Sequence, residues 1–254
     1  MQTLRVERRQ DLAVLRLDKA RGNAIDARLL EDLMTACREL ADDRAVRGVL
    51  LASVHPKLFC PGLDLVTLVD YDRPAFERFM ARFGEVMRAL YGLRKPVVAA
   101  VSGHAVAGGC ILALTADWRV LARGAQIGLN EVRIGVPLPW SVSVMLRAAL
   151  PPTSLARVAL LGRNFSDAEA LEVGLADGLA EAEGFEAACL TRLREFADRN
   201  PLALGATKAY LRAPALSEME AREHELLPEF VSAWFSEPAQ RWIRQTVASL
   251  AAKG

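Results

Sequence analysis

Four cysteines, three histidines and a net charge of +1 are all that a chain of 254 residues offers to disulfide, metal or polyanion chemistry. Cys37, Cys60, Cys110 and Cys189 are scattered, with no Cys-x-x-Cys pair and no neighbouring histidine ligand. Reduced thiols in a cytosolic setting are therefore expected, and no metal site. His55, His104 and His224 lack Ser/Asp or Cys partners at a recognisable spacing, and no Gly-x-Ser-x-Gly elbow occurs, which leaves no legible nucleophile triad. Basic and acidic residues are interspersed, so there is no footprint for nucleic acid or an anionic membrane. The G-x-G-x-x-G pattern of a dinucleotide loop and the Gly-Lys-Ser/Thr of a P-loop are also missing, which excludes phosphate binding by those devices. No apolar signal core opens the chain and no familiar address tag closes it, so a cytoplasmic location is expected.

What is present is hydrocarbon: 52% hydrophobic residues against 25% charged, the balance of an ordinary globular protein. The length suits one substantial core with an appendage. Pro96 to Ala116 carries no charge, which raises the question of a membrane span. It contains Pro96, Gly103, His104, Gly108 and Gly109, however, and reads as a buried strand, a loop and a helix.

Leu12 to Leu17 alternates like a strand, "ARGNAID" supplies turn residues, and Asp26 is a good N-cap. The following helix would place Leu29, Leu30, Leu33, Met34, Cys37 and Leu40 on one face, before a buried strand from Val46 to Ser53. This order implies an α/β core. A helix from about Pro74 to Leu90 and the strands "PVVAAVSG", "WRVLA" and "AQIGL" repeat the idea. From Trp140 onward the pattern is helical, with capping boxes at Ser166/Glu169 and Ser217/Glu220. Helices are expected over 186–199, 202–211, 218–235 and 238–252, separated by Pro201, Pro214 and Pro238. The chain thus divides into a core, 1–195, and a helical region, 196–254. Apolar stripes in the latter suit either its own core or a second subunit.

Three stretches set single polar groups and tight backbone among apolar residues: "KLFCPGLDL", "GHAVAGGCIL" and "IGLNEVRIGVPLPW". Pro61-Gly62 forces a turn that leaves the Leu63 N–H facing outward. Gly108-Gly109 opens a helix, where the pair is either a packing device or a means of baring N–H groups to an anion. Two such donors converging on one point would make an oxyanion hole. Glu131 shares its stretch with one other charge, Arg133. It is either an exposed acid paired with that arginine or a carboxyl pressed against hydrocarbon and usable for proton transfer near neutral pH.

In this order the three stretches, with "RGNAID" before them and "FSDAEALEVGLAD" after, resemble the crotonase or enoyl-CoA hydratase/isomerase superfamily. The resemblance implies a spiral of ββα repeats with a C-terminal helical trimerisation region, and a homotrimer or hexamer. It implies an acyl-CoA thioester as substrate, with no cofactor because CoA belongs to the substrate. Leu63 and Gly108 fall at its oxyanion-hole positions and Glu131 at its catalytic acid. Ala24, Pro61, Gly62 and Asp64 lie in its substrate-binding segments. Leu68, Pro139, Trp140 and the C-terminal aromatics are candidates for the acyl wall. Lys19, Arg21 and Lys57 are candidates for the CoA phosphates, or for a solvated face. Hydratases of the family carry a second Glu three residues after the second oxyanion-hole Gly, where this chain has Ile111. Adding water is well served by two carboxylates, whereas moving a double bond needs one base that takes an α proton and returns it at γ. The pattern is similar to the delta-3, delta-2-enoyl-CoA isomerase branch. A hydratase or CoA-thioester hydrolase working with Glu131 alone, and a non-catalytic acyl-CoA-binding or assembly protein, are the alternatives.

Overall fold

The computed structural model describes residues 1–20 and 22–252. A hairpin of β1 (Leu4–Arg9) and β2 (Leu12–Leu17) leads to α1 (Ala27–Asp42), β3 (Gly48–Ser53) and β4 (Leu58–Cys60). A short α2 (Leu65–Leu68) and a long α3 (Arg73–Tyr91) follow, then β5 (Val97–Val101), β6 (His104–Val106) and α4 (Gly108–Leu114). Next come β7 (Trp118–Ala122), β8 (Gln126–Gly128), a 3-10 turn (Glu131–Ile134), α5 (Trp140–Ala149) and α6 (Leu155–Leu160). The chain ends with β9 (Asn164–Ser166), α7 (Asp167–Val173), β10 (Gly178–Ala180), α8 (Phe185–Ala197), α9 (Pro201–Trp234) and α10 (Glu237–Ala251).

One sheet has the order β1-β2-β3-β5-β7-β10 and is parallel apart from its β1 edge. The other, β4-β6-β8-β9, is parallel apart from β9. Successive turns of chain give one strand to each sheet, β3 with β4, β5 with β6 and β7 with β8, before going helical. This is the ββα spiral expected above. The charge-free run from Pro96 resolves into β5, β6 and α4, and among the described residues no helix is long and apolar enough to cross a membrane. All four cysteines are buried and free. Burial pushes the Cys60 thiol up to about 12, so it is protonated and inert near neutral pH.

Local signals are honoured at most boundaries. Asp26 accepts a hydrogen bond from the Leu29 N–H, and Ser166 and Glu169 form the reciprocal capping box of α7. The expected break at Pro214 and the box at Ser217/Glu220 do not occur, because α9 runs unbroken through Pro214 and Pro228. A helical Pro214 leaves the Tyr210 carbonyl without its main-chain donor, but Tyr210 is 76% exposed, so that carbonyl lies beside solvent. The helix is also held at both ends. Near its start Lys208 and Arg212 each reach Asp117 at 2.6 Å. Near its end Trp234 stacks on Phe76 of α3, ring centroids 4.3 Å apart.

The C-terminal helices therefore share the main core: Phe230, Val231, Trp234 and Ile243 belong to the same apolar cluster as the strands. They fold over the edge where β4, α4 and the 3-10 turn meet.

Candidate active site

The site begins with two backbones forced together. A Cβ on Gly109 would lie 2.0 Å from the Cys60 carbonyl oxygen, so only glycine lets α4 start against β4. Gly62 has φ +103°, and a Cβ there would meet the Val106 carbonyl and Ala107 at 3.1 Å. The segments around Gly62 and Gly108 are thereby in direct contact.

The N–H groups of Leu63 and Gly108 are left free by the surrounding pairing. Leu63 sits in a parallel bridge with Ile25, in which Ile25 N–H donates to the Gly62 carbonyl and Asp64 N–H to the Ile25 carbonyl, both at 2.8 Å. In that geometry the N–H of Leu63 itself points away from Ile25. Gly108 is the first residue of α4, and a first-turn N–H has no partner in its own helix. Among the described residues neither N–H has an acceptor within the protein. Ala107, the residue before, is held at φ 48°, ψ −120°, a strained conformation for a residue with a Cβ.

Both donors border a cleft whose other lining residues include Leu65, Met80, Phe83, Ile111, Trp234 and Trp242. Glu131 is the one ionisable group among the described residues lining it. It is 6% exposed, among the described residues its Oε2 has no hydrogen-bond partner and no cation pairs with it, and Arg133 is exposed. The reading of Glu131 as an exposed acid paired with Arg133 is overturned. Burial pushes its carboxyl from 4.5 up to about 7, against the smaller opposing effect of the Glu131 and Asn130 backbone N–H groups. Ile111 lies in the same cleft, 2% exposed, so hydrocarbon faces the acid.

Other candidates are redistributed. Pro61, Leu63, Gly108, Glu131 and Pro139 line the cleft, as do the C-terminal Phe230, Trp234 and Trp242. Leu68 does not: it is fully buried in the core, and Leu65, one turn earlier on α2, takes its place. Trp140 lines a neighbouring cavity instead, with its indole N–H donating to the Glu218 carbonyl at 3.0 Å. Lys19 is turned inward, to Asp26 at 2.9 Å, Asp64 at 2.8 Å and the Ala24 carbonyl at 2.7 Å. Two carboxylates and a carbonyl use its charge within the protein, so it is no free cation for a phosphate. Asp64 caps α2 besides pairing with Lys19. Lys57 is exposed, and Arg21 lies outside the described residues. Asn23 of "RGNAID" is a fastener for this loop: its amide donates to Ser53 Oγ at 2.9 Å and the Phe59 carbonyl at 3.0 Å.

Sequence reasoning did not pick out Met80, Phe83, Ile134 and Val136 as cleft residues. Their only signal was apolarity within elements that also supply the core, which marks burial without saying against what.

The family model for enoyl-CoA hydratase/isomerase matches residues 7–240. Human mitochondrial enoyl-CoA delta isomerase 1 is 29% identical over 223 residues, 87% of this chain and 74% of its own length. Carnitinyl-CoA dehydratase from Proteus mirabilis is 29% identical over 220 residues, 86% of this chain and 84% of its own. The crystal structure of human mitochondrial delta3-delta2-enoyl-CoA isomerase superposes with a TM-score of 0.94 at 27% identity, covering 99% of both chains. With its ββα spiral and the two free N–H groups at the mouth of α4, the chain belongs to the enoyl-CoA hydratase/isomerase family.

Proposed function

We propose that the protein moves the double bond of a 3-enoyl-CoA to give the conjugated 2-enoyl-CoA. The observation that carries this reading is a single unpaired carboxyl, Glu131, in a cleft whose second acid position is the hydrocarbon of Ile111. The thioester carbonyl accepts hydrogen bonds from the Leu63 and Gly108 N–H groups, which stabilise the dienolate formed when the α proton leaves. Losing one donor of an oxyanion hole typically costs about 3 to 4 kcal/mol, so the pair accounts for much of the stabilisation. Glu131 takes the α proton as a carboxylate and returns it to the γ carbon, ending in the form in which it began. A pKa near 7 suits a group that must both accept and give a proton, and the apolar walls keep water from the dienolate.

Purified protein given a 3-enoyl-CoA should form the conjugated thioester rapidly and hydrate a 2-enoyl-CoA negligibly; the reverse result refutes the assignment. Ile111→Glu should introduce measurable hydration of 2-enoyl-CoA at the expense of isomerisation. Likeness to carnitinyl-CoA dehydratase favours a second reading, removal of water from a 3-hydroxyacyl-CoA, which the same assay with that substrate separates.

Assembly into a homotrimer or hexamer is part of this proposal. It is supported by large apolar side chains left in solvent on α9, where Leu202, Tyr210 and Leu211 are 83%, 76% and 77% exposed, and sedimentation of the purified protein tests it.

A further inference from the structure

Leu63, whose N–H borders the cleft, sits in a loop, with Gly62 at φ +103° before it and the four-residue α2 beginning after Asp64. Its pairing with Ile25 is an isolated bridge outside any strand, so no ladder of neighbouring pairs holds the two segments in register. That register decides where the N–H points. The Gly62 carbonyl and the Leu63 N–H share one trans peptide plane and face opposite ways. The bond from Ile25 N–H to that carbonyl, 2.8 Å long, therefore aims the Leu63 N–H away from Ile25.

A side chain ties the same two segments together. The Lys19 ammonium donates to the Ala24 carbonyl at 2.7 Å and to Asp64 Oδ2 at 2.8 Å, the residues immediately before Ile25 and after Leu63, and it meets Asp26 Oδ2 at 2.9 Å. The other oxygen of each carboxylate caps a helix, Asp26 Oδ1 accepting the Leu29 N–H and Asp64 Oδ1 the Thr67 N–H. The lysine backbone is pinned as well, its N–H to Asn23 Oδ1 at 2.9 Å and its carbonyl beside His55 Nε2 at 3.0 Å. Withdrawing an ammonium and two carboxylates from water adds little net stability, because desolvation offsets most of their attraction. What the arrangement supplies is a fixed distance between Ala24 and Asp64.

We propose that Lys19 is a positioning residue of the oxyanion hole: by tying Ala24 to Asp64 it holds the Ile25–Leu63 bridge in register and keeps the Leu63 N–H aimed at the thioester oxygen. This rests on the reading of Leu63 as an oxyanion donor. Lys19 touches no reacting atom and acts through Asp64 and the Leu63 peptide.

Lys19→Met, which keeps the length of the side chain and removes the ammonium, tests it by two readouts. With a 3-enoyl-CoA, kcat should fall about 10- to 100-fold, the scale of a slightly misplaced group or a weakened oxyanion donor, while KM stays within about threefold. The decisive readout needs no turnover. Hexanoyl-CoA labelled with carbon-13 at the thioester carbonyl has no double bond to move, and hydrogen bonds from the hole lower its carbonyl stretching frequency in the infrared. The parent should show that downshift on binding, and Lys19→Met should lose part of it. Asp64→Asn keeps an oxygen to cap α2 but weakens the hold on the ammonium. It should reproduce the losses in milder form, and it carries the test if Lys19→Met does not fold, as judged by its thermal melt. The double variant should be no slower than Lys19→Met alone, because both act through one tie. A folded Lys19→Met that keeps the full downshift overturns the positioning role, as does a rise in KM alone, which would return Lys19 to the CoA phosphates. A parent that binds hexanoyl-CoA without a downshift refutes the oxyanion reading itself, and one that does not bind it refutes the acyl-CoA reading; either removes this role as well.

Discussion

Two of the carboxylates withdrawn from solvent in this protein, Asp117 and Glu131, are treated in opposite ways. Asp117 is clamped by Lys208 and Arg212 at 2.6 Å each, and its Oδ2 also accepts the Val97 N–H at 2.7 Å. Among the described residues Glu131 has no cation beside it, and one of its oxygens has no hydrogen-bond partner. The first arrangement ties α9 to the start of β5 and the end of α4. It holds the Lys208 ammonium in the interior, where burial pulls it down to about 8 even with Asp117 opposing the shift. The second arrangement stabilises nothing and leaves a carboxyl that ionises near neutrality. A buried charge with partners is a fastener, whereas one without them is a reagent.

The sharpest way to break this comparison is to neutralise each acid in turn. Glu131→Gln should lower kcat for 3-enoyl-CoA by about 10²- to 10⁴-fold, the usual contribution of a general acid/base. A folded variant that turns over like the parent would show that Glu131 is not the base, and would favour the non-catalytic alternative. Asp117→Asn should do the converse. Stranding two buried cations costs about 3 to 5 kcal/mol, visible as a large drop in denaturation midpoint, with the folded fraction keeping its kcat.

The same contrast fixes the sign of two pH effects. The reaction needs the Glu131 carboxylate, so kcat/KM should rise tenfold per pH unit below about 7 and level off above it. A flat profile from pH 5 to 8 would remove Glu131 from the proton transfer. Stability moves the other way. A carboxyl whose pKa is higher folded than unfolded penalises the native state as pH climbs from about 4.5 to about 7, and the penalty then stays constant. Glu131→Gln should consequently be more stable than the parent at pH 8, by up to about 3 kcal/mol, and no more stable at pH 4.

The smallest expected effect concerns backbone strain. Ala107→Gly relieves the positive φ that precedes the Gly108 N–H, and should raise the melting temperature by a few degrees, about 1 kcal/mol. Loss of stability would mean that the conformation is not strained.

Much of this molecule was legible because local chemistry and tertiary demand agreed. The Asp26 cap, the α7 capping box, the buried strands of the large sheet and the Gly-Gly entry to α4 all formed where short-range patterns placed them. Disagreement arose where a distant partner decided. The edge strand β1 is rich in exposed charge, so no apolar alternation marks it, and β2 recruits it by hydrogen bonding. Pro214 reads as a helix break, yet anchors at Asp117 and Phe76 keep α9 continuous across it. Lys19 reads as a free cation until the fold brings Asp64 beside it. Leu68 and Trp140 carry the right chemistry for an acyl wall but face elsewhere, because a helix turned by one residue presents a different side chain.

The sequence by itself determined which atoms the site can use: two glycine-rich turns with spare N–H groups, one acid in an apolar stretch, and isoleucine where a second acid would stand. Only the tertiary structure decided that these atoms share a cleft and that, among the described residues, no counter-ion pairs with Glu131. The physical reason is range. Caps, turns and glycine conformations are set by residues a few positions apart, but the ionisation of a carboxyl is set by everything within several ångströms of it, and here that surrounding comes from α2, α3, α4, α9 and α10.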